Sequence, residues 1–249
     1  MTLVLKIGGN QLDDPAFIAG MAAAVKALPA PAVIVHGGGQ SIKALQERLG
    51  IVPRYVGGLR VTDPETLTIV MMSLIGAINP MLVAALQTQG VQAQGFNGAD
   101  QGLLRGEKLS HPDGDLGAVG VITTVRAEVL RGLLAAGIVP VIAPIMLGID
   151  GTFFNINADR AAGAVGAALN AERVVFLTNV RGVLKEGAVI PTLNRTAIQT
   201  QINAGVITGG MAVKVNAALD ALSAGVRAAV ITDLAGLAAG TGTTISHDL

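Results

Sequence analysis

The 249-residue chain is 51% hydrophobic and only 14% charged, with 17 Lys and Arg balancing 17 Asp and Glu, enough apolar material for one large α/β domain. Balanced charge, five Phe, one Tyr and no Trp argue against nucleic acid, which needs a basic face and aromatic stacking platforms. The lack of Cys removes disulfides, thiolate metal sites and cysteine nucleophiles, and three scattered His (His36, His111, His247) do not suggest a metal centre.

No basic segment with an apolar run and a small-residue cleavage site precedes the first strand pattern, so a cytoplasmic location is expected. Leu3–Ile7 reads as a short buried strand closed by Gly8-Gly9, with helical periodicity from about Asp14 to Leu28, broken by Pro29 and Pro31. Ala32–Val35 is a second strand that runs into His36-Gly37-Gly38-Gly39 and a helix over Gln40–Leu49. Strand, glycine turn and helix, repeated, are the pattern of βαβ units on a parallel sheet. A Gly57-Gly58 turn leads into a short strand through Arg60 to Thr62, and Asp63-Pro64 opens a long helix as an N-cap followed by an early proline.

Pro80 falls inside that helix, and its missing N–H and bulky ring predict a kink. No residue from Thr66 to Ala99 is charged, so length alone would let the segment cross a bilayer. Gln, Ser and Asn-Pro interrupt it and no Lys or Arg cluster flanks it. A helix buried in the core or in a subunit interface is expected, without a membrane span. Val91–Val125 is glycine-rich with short alternating runs, suggesting strands and hairpins. Arg126–Ala136 reads as a helix ending at Gly137, Ile138–Met146 as a core strand and Asp159–Leu169 as a helix. Arg173–Leu177 is a strand, Thr196–Ala204 and Met211–Ala224 are helices, and Ala228–Thr232 is the last clear strand. Without repeats or a low-complexity linker, residues 1–249 are read as a single domain with a soft lobe boundary near residue 171.

Both glycine turns follow buried strands and precede helices. There glycine lets backbone N–H groups approach an anion, and the helix start adds partial positive charge. Neither turn fits G-x-x-x-x-G-K-[ST] or G-x-G-x-x-G, and either alone is compatible with a purely structural turn. Two at neighbouring strand ends point to the binding edge of a parallel sheet. Lys6, one of six lysines, sits inside a core-strand pattern, where it either snorkels to solvent or aims its ammonium at a ligand. Lys214 follows the helix start Gly209-Gly210-Met211, and an exposed lysine is an equal reading there, since a cation is not favoured at a helix start. Asn155-Ile156-Asn157-Ala158-Asp159 places two carboxamides and a carboxylate at a strand-to-helix turn. Its plain alternative is Asp159 as a helix cap with Asn155 and Asn157 as turn formers. Arg60 suits either a surface carboxylate or a bidentate grip on a substrate carboxylate. His36 is expected to satisfy backbone at a strand end, and no motif supports a Ser/His/Asp nucleophile.

Lys6-Ile7-Gly8-Gly9, His36-Gly37-Gly38-Gly39, Gly58-Leu59-Arg60-Val61-Thr62, Asn155–Asp159 and Gly210-Met211-Ala212-Val213-Lys214-Val215 occur in the order seen in the amino acid kinase family. With a closing Gly240-Thr241-Gly242-Thr243-Thr244-Ile245, the resemblance covers essentially the whole chain. Within the family the motifs are most similar to those of kinases acting on N-acetyl-L-glutamate. The resemblance implies a three-layer α/β/α sandwich around a mainly parallel sheet, with a substrate lobe over about 1–170 and an ATP lobe over about 171–249. It also implies that Lys6 and Lys214 neutralise the phosphoryl group in flight and that Asp159 orients both ammoniums. Gly9, Gly38 and Gly39 would supply backbone donors. Arg60 and Asn155 would hold the substrate's α-carboxylate and amide. ATP, with Mg²⁺, would be bordered by Gly8, Gly9, Asn179, Gly182, Val183 and Leu184, and by Gly209, Gly210 and Met211 within Val206–Lys214.

The implied reaction moves the γ-phosphoryl group of ATP to the γ-carboxylate of N-acetyl-L-glutamate, a step of arginine synthesis. One alternative is a sister kinase acting on carrier-protein-bound aminoadipate or glutamate, which would call for a basic rim and a changed Gly-Leu-Arg-Val-Thr stretch. The other is an idle, ligand-sensing member, which would be expected to have lost Lys6, Lys214 or Asp159. Two positions depart from the resemblance: Asn179 stands where the family usually has Asp, and Asn79-Pro80 where it often has Asn-Lys, in a helix usually at a dimer interface. Hexameric, arginine-inhibited members carry an extra N-terminal helix, whereas this sequence opens at the first strand. The expectation is a homodimer without arginine feedback.

Overall fold

Buried strands from both ends of the chain meet side by side in one sheet. The computed structural model describes residues 2–29 and 31–247. The first half contains β1 (Leu3–Ile7), α1 (Pro15–Lys26), β2 (Ala32–His36), α2 (Gly39–Arg48), β3 (Tyr55–Val56), β4 (Leu59–Arg60), α3 (Pro64–Met71), α4 (Asn79–Thr88), β5 (Ala93–Asn97), β6 (Leu104–Lys108) and β7 (Gly120–Val125). Then come α5 (Ala127–Ala135), β8 (Val139–Ala143), β9 (Ile145–Gly148), β10 (Phe153–Asn155), α6 (Ala158–Leu169), β11 (Arg173–Leu177), β12 (Leu184–Lys185) and β13 (Ala188–Val189). The chain closes with β14 (Thr192–Leu193), α7 (Arg195–Asn203), α8 (Gly209–Ser223), β15 (Ala228–Thr232), α9 (Leu234–Ala239) and β16 (Thr243–Ser246).

Eight strands form the central sheet in the order β14-β16-β15-β11-β1-β2-β8-β5, parallel at every pair except β15–β16. The inner strands β2 and β8 are buried along their whole length, which is why they read as unbroken apolar runs. Side chains alternate between faces: Val4, Val33, Val35 and Phe176 pack with α5, α6 and α8, while Leu5, Ile7, Ile34 and Leu177 pack with α1 and α4. This is the three-layer α/β/α sandwich expected. Strands from before residue 171 occupy one half of the sheet and later ones the other, with the β1–β11 pair as the seam. The glycine-rich stretch supplies β5 and the antiparallel β6–β7 pair, part of a second sheet in the order β10-β9-β6-β7.

Two expectations change in detail. The strand predicted over Ile138–Met146 is two strands, because Pro144 has no N–H to continue a ladder. β8 stays in the central sheet, whereas β9 joins the second sheet and pairs with β10, which ends at Asn155. The kink expected at Pro80 is taken up by a wider turn: Met72–Ile78 is π-helical, the Asn79 N–H reaches the Leu74 carbonyl, and Pro80 lies in the first turn beyond. A five-residue hydrogen-bond step relieves the ring clash that a proline imposes on the carbonyl four residues back.

The run Pro64–Thr88 is a continuous helix of 25 residues, long and apolar enough by composition to cross a membrane, with 44% of its most apolar window buried in the fold. Val70, Leu74, Ile78, Leu82 and Leu86, four apart, face the core, and Met72 is 55% exposed on another side.

Candidate active site

Lys6 shares a sheet face with Val4, because alternate residues of a strand point the same way. Its ammonium therefore leaves the C-terminal end of β1 on the side covered by α6. There Nζ lies 2.8 Å from Asp159 Oδ1, in the first turn of α6. Asp159 is free to make this ion pair because it is not the cap of its helix. Asn157 is: its Oδ1 accepts from the N–H groups of Asp159 at 2.8 Å and Arg160 at 3.1 Å. The capping alternative for Asp159 is thus corrected, and Asn157 is more than a turn former.

The two glycine turns touch. Gly37 N–H donates to Ile7 O at 2.8 Å, and a Cβ on Gly9 would lie 2.6 Å from Gly39 N and 2.8 Å from Gly38 N. A side chain there would displace backbone. α2 starts at Gly39 without a side-chain cap, so its first-turn N–H groups stay available beside those of Gly9.

Behind the second turn His36 is fully buried. Its Nδ1 is 3.1 Å from Gly37 O and its Nε2 is 3.1 Å from Asn79 Nδ2, which fits a neutral ring donating through Nδ1 and accepting at Nε2. Asn79 Nδ2 also donates to Val141 O at 2.9 Å. Burial pushes the His36 pKa down to about 4, partly opposed by the bond to Gly37. At neutral pH His36 is a strut beneath the glycine turn, as its place at a strand end suggested.

Arg60 is 9% exposed. Its Nη2 donates to Gly39 O at 3.1 Å, its Nη1 donates to Gln46 Oε1, and its guanidinium lies 4.9 Å from the centre of the Tyr55 ring. Burial lowers its pKa, with Tyr55 opposing, and the guanidinium stays charged. Asn155 Nδ2 donates to Thr62 Oγ1 at 3.1 Å, and that hydroxyl donates to Arg60 O at 3.0 Å. Arg60, Asn155, Gly38, Gly39, Gly9, Lys6 and Asp159 line one cavity of about 410 Å³. A second cavity, of about 700 Å³, is lined by Lys6, Gly8, Gly9, Asp159, Thr178, Asn179, Gly210 and Lys214. Lys6, Gly9 and Asp159 belong to both.

Lys214 reaches the second cavity from α8, which also begins without a side-chain cap. Among the described residues no carboxylate lies within 4 Å of its ammonium, so Asp159 holds only one of the two lysines. Close approach of Gly163 on α6 to Ala221 on α8, where a glycine Cβ would lie 3.2 Å from Cα, sets the depth of α8. Asn179 is exposed on the second cavity, its Oδ1 accepting from Thr178 Oγ1 at 3.3 Å. Five other expected positions, Gly182, Val183, Leu184, Gly209 and Met211, lie outside both linings. Gly182 is pressed on Thr243, whose Oγ1 accepts from Val183 N–H at 2.8 Å, Leu184 lies in the β12–β13 hairpin, and Met211 packs on the core. Gly209 opens α8 with φ +50.

Residues 1–233 match the amino acid kinase family. The chain belongs to it. Over 236 residues it is 55% identical to the acetylglutamate kinase of Roseiflexus castenholzii, covering 95% of this chain and 91% of that one. The acetylglutamate kinase of Methanopyrus kandleri is 45% identical, with 97% and 99% covered. A crystal structure from Streptococcus mutans superposes with a TM-score of 0.81 at 31% identity, covering 99% of both chains.

This amino acid kinase also carries lining residues that the motifs did not reveal. Tyr55 and Lys43 line the smaller cavity; Gln11, Asp14, Phe17 and Asp233 line the larger. Asp233 directly follows β15, so the rule that ligands gather beyond the C-terminal ends of parallel strands would have found it. Gln46 had no such signal, because a buried glutamine in an amphipathic helix looks like any polar residue.

Proposed function

We propose that the chain transfers the γ-phosphoryl group of ATP to the γ-carboxylate of N-acetyl-L-glutamate, forming N-acetyl-L-glutamyl 5-phosphate and ADP, a step of arginine synthesis. The observation that carries this reading is the junction of two cavities at Lys6, Gly9 and Asp159. The high identity to acetylglutamate kinases supports the choice of acceptor. The smaller cavity takes the acceptor, with Arg60 on its α-carboxylate and Asn155 on its amide. The larger takes ATP against Gly8, Asn179 and Gly210.

The chemistry suits this set. A γ-carboxylate with an ordinary pKa of about 4.3 is already ionised at neutral pH, so no general base is needed, and buried neutral His36 offers none. The reaction requires alignment of attacking oxygen with phosphorus and compensation of negative charge on the transferring oxygens. Lys6, fixed by Asp159, meets that charge from the junction, Lys214 from the nucleotide side, and the N–H groups of Gly9, Gly38 and Gly39 from the turns. Mg²⁺ bound with the nucleotide would supply further neutralisation of its phosphate oxygens beside Lys6 and Lys214. Among the described residues no group of three or more His, Asp or Glu gathers to hold a metal, and the donors present fit the phosphates themselves.

Each half of the sheet serves as one lobe, with the seam near residue 171. The exposed side of the long apolar helix around Met72 is covered by a second copy of the chain, giving a cytoplasmic homodimer. An assay of ADP release with N-acetylglutamate, glutamate and aspartate in parallel tests the activity. Turnover with N-acetylglutamate is expected; turnover with another acceptor alone would overturn the acceptor, and none at all the kinase reading.

A further inference from the structure

We infer that Gln46 is a positioning residue for the acceptor: a neutral anchor that aims the Arg60 guanidinium while leaving its positive charge unspent. Arg60 is fastened at two points of one helix, Gly39 O at the start of α2 and Gln46 Oε1 two turns later. A spacing of seven residues brings both to the same side of a helix, and helical side chains lean towards the N-terminus, so the Gln46 carboxamide reaches back to the arginine. Gln46 is in turn fixed. It is 1% exposed, and its Nε2 donates at 3.3 Å to the hydroxyl of Thr66, itself buried in the first turn of α3. The Thr66 N–H is held at 2.9 Å by the cap Asp63. A buried relay thus joins α3, α2 and the β4 arginine.

The choice of an amide matters. A guanidinium has five N–H donors; two are engaged by Gly39 and Gln46, and three remain for a bidentate carboxylate contact. Among the described residues no carboxylate lies within 4 Å of Arg60. A glutamate at position 46 would hold the same arm more strongly, yet cancel the charge that attracts an anionic acceptor. Gln46 touches neither the reacting atoms nor, on this geometry, the acceptor; it acts through Arg60.

The inference rests on the reading that Arg60 grips the acceptor's α-carboxylate, and the test separates the two. Wild type, Gln46→Glu and Gln46→Leu are compared for thermal midpoint, for KM of both substrates, and for preference between N-acetylglutamate and its α-amide, which keeps the γ-carboxylate. Gln46→Glu is expected to keep or raise the midpoint, to raise the acceptor KM about tenfold or more with the ATP KM unchanged, and to reduce the acid-over-amide preference by a similar factor. Gln46→Leu is expected to lower the midpoint and raise the acceptor KM, because it leaves a buried donor without a partner. Wild-type preference for the acid with the same preference in Gln46→Glu would overturn the role of Gln46. A parallel rise of both KM values with a falling midpoint would reassign it to packing. A wild type that ignores the α-carboxylate would instead break the reading of Arg60.

Discussion

The two cavities are built by opposite means. Around the smaller one, each polar side chain is held by a fixed partner: Arg60 by the Gln46 side chain and the Gly39 carbonyl, Asn155 by Thr62, and the glycine turn from behind by His36, itself backed by Asn79. The larger one is lined by the backbone of Gly8, Gly9 and Gly210 and by Lys214, which no carboxylate restrains among the described residues. A site that must recognise a small acid benefits from groups fixed in advance, because a displaced donor loses its geometry and its specificity together. Charge developing on a transferring phosphoryl group is also met best by groups already in place; Lys6 is held in that way by Asp159, whereas Lys214 has no carboxylate within 4 Å among the described residues.

Lys214→Ala gives the strongest test of that contrast. Turnover should fall by roughly 10²–10³ with the acceptor KM within a few-fold of wild type, as for other electrostatic stabilisers of a transition state. Steady-state kinetics with both substrates varied reads it, and unchanged turnover would remove Lys214 from the charge-compensating role. Arg60→Lys addresses the fixed side. A point charge cannot reproduce a fork anchored at two points, so the acceptor KM should rise about 10–100-fold with little change in the ATP KM. An equal rise for both substrates would erase the distinction between the cavities.

The smallest effect comes from beneath the glycine turn. His36 resists protonation in the folded state, with a pKa near 4, whereas the unfolded chain takes up the proton near pH 6.5. Its contribution is therefore complete above about pH 6.5 and lost as the pH falls towards 4, on the order of 1 kcal/mol between pH 7 and 5.5. For a chain of this size that corresponds to about 2–4 °C in thermal midpoint. His36→Gln should flatten this slope, and a wild-type midpoint independent of pH across that window would show the strut is not as buried as its surroundings indicate.

Much of this is legible in the sequence. Lys6 was conspicuous because a lysine interrupts an apolar strand, and the glycine turns because they recur at strand ends. Pro80 marks a disturbance but not a π turn, since a proline states that a bond is lost without stating how the helix redistributes the rest. Pro144 does not stand out as a strand breaker because the apolar run continues through it. Asp159 as the cap is a fair alternative from sequence because Asn and Asp share that chemistry, and only the position of the turn assigns the cap to Asn157.

Apolar periodicity, glycine spacing and motif order settle the layers, the sheet edge and the family, because these depend on neighbours along the chain. The contact of Lys6 with Asp159 is implied by the family resemblance, whereas Asn155 with Thr62 and Arg60 with Gln46 were decided by folding alone. All three join different elements, the first two from distant parts of the chain, and a shift of one strand position would turn Lys6 or Asn155 to the opposite face.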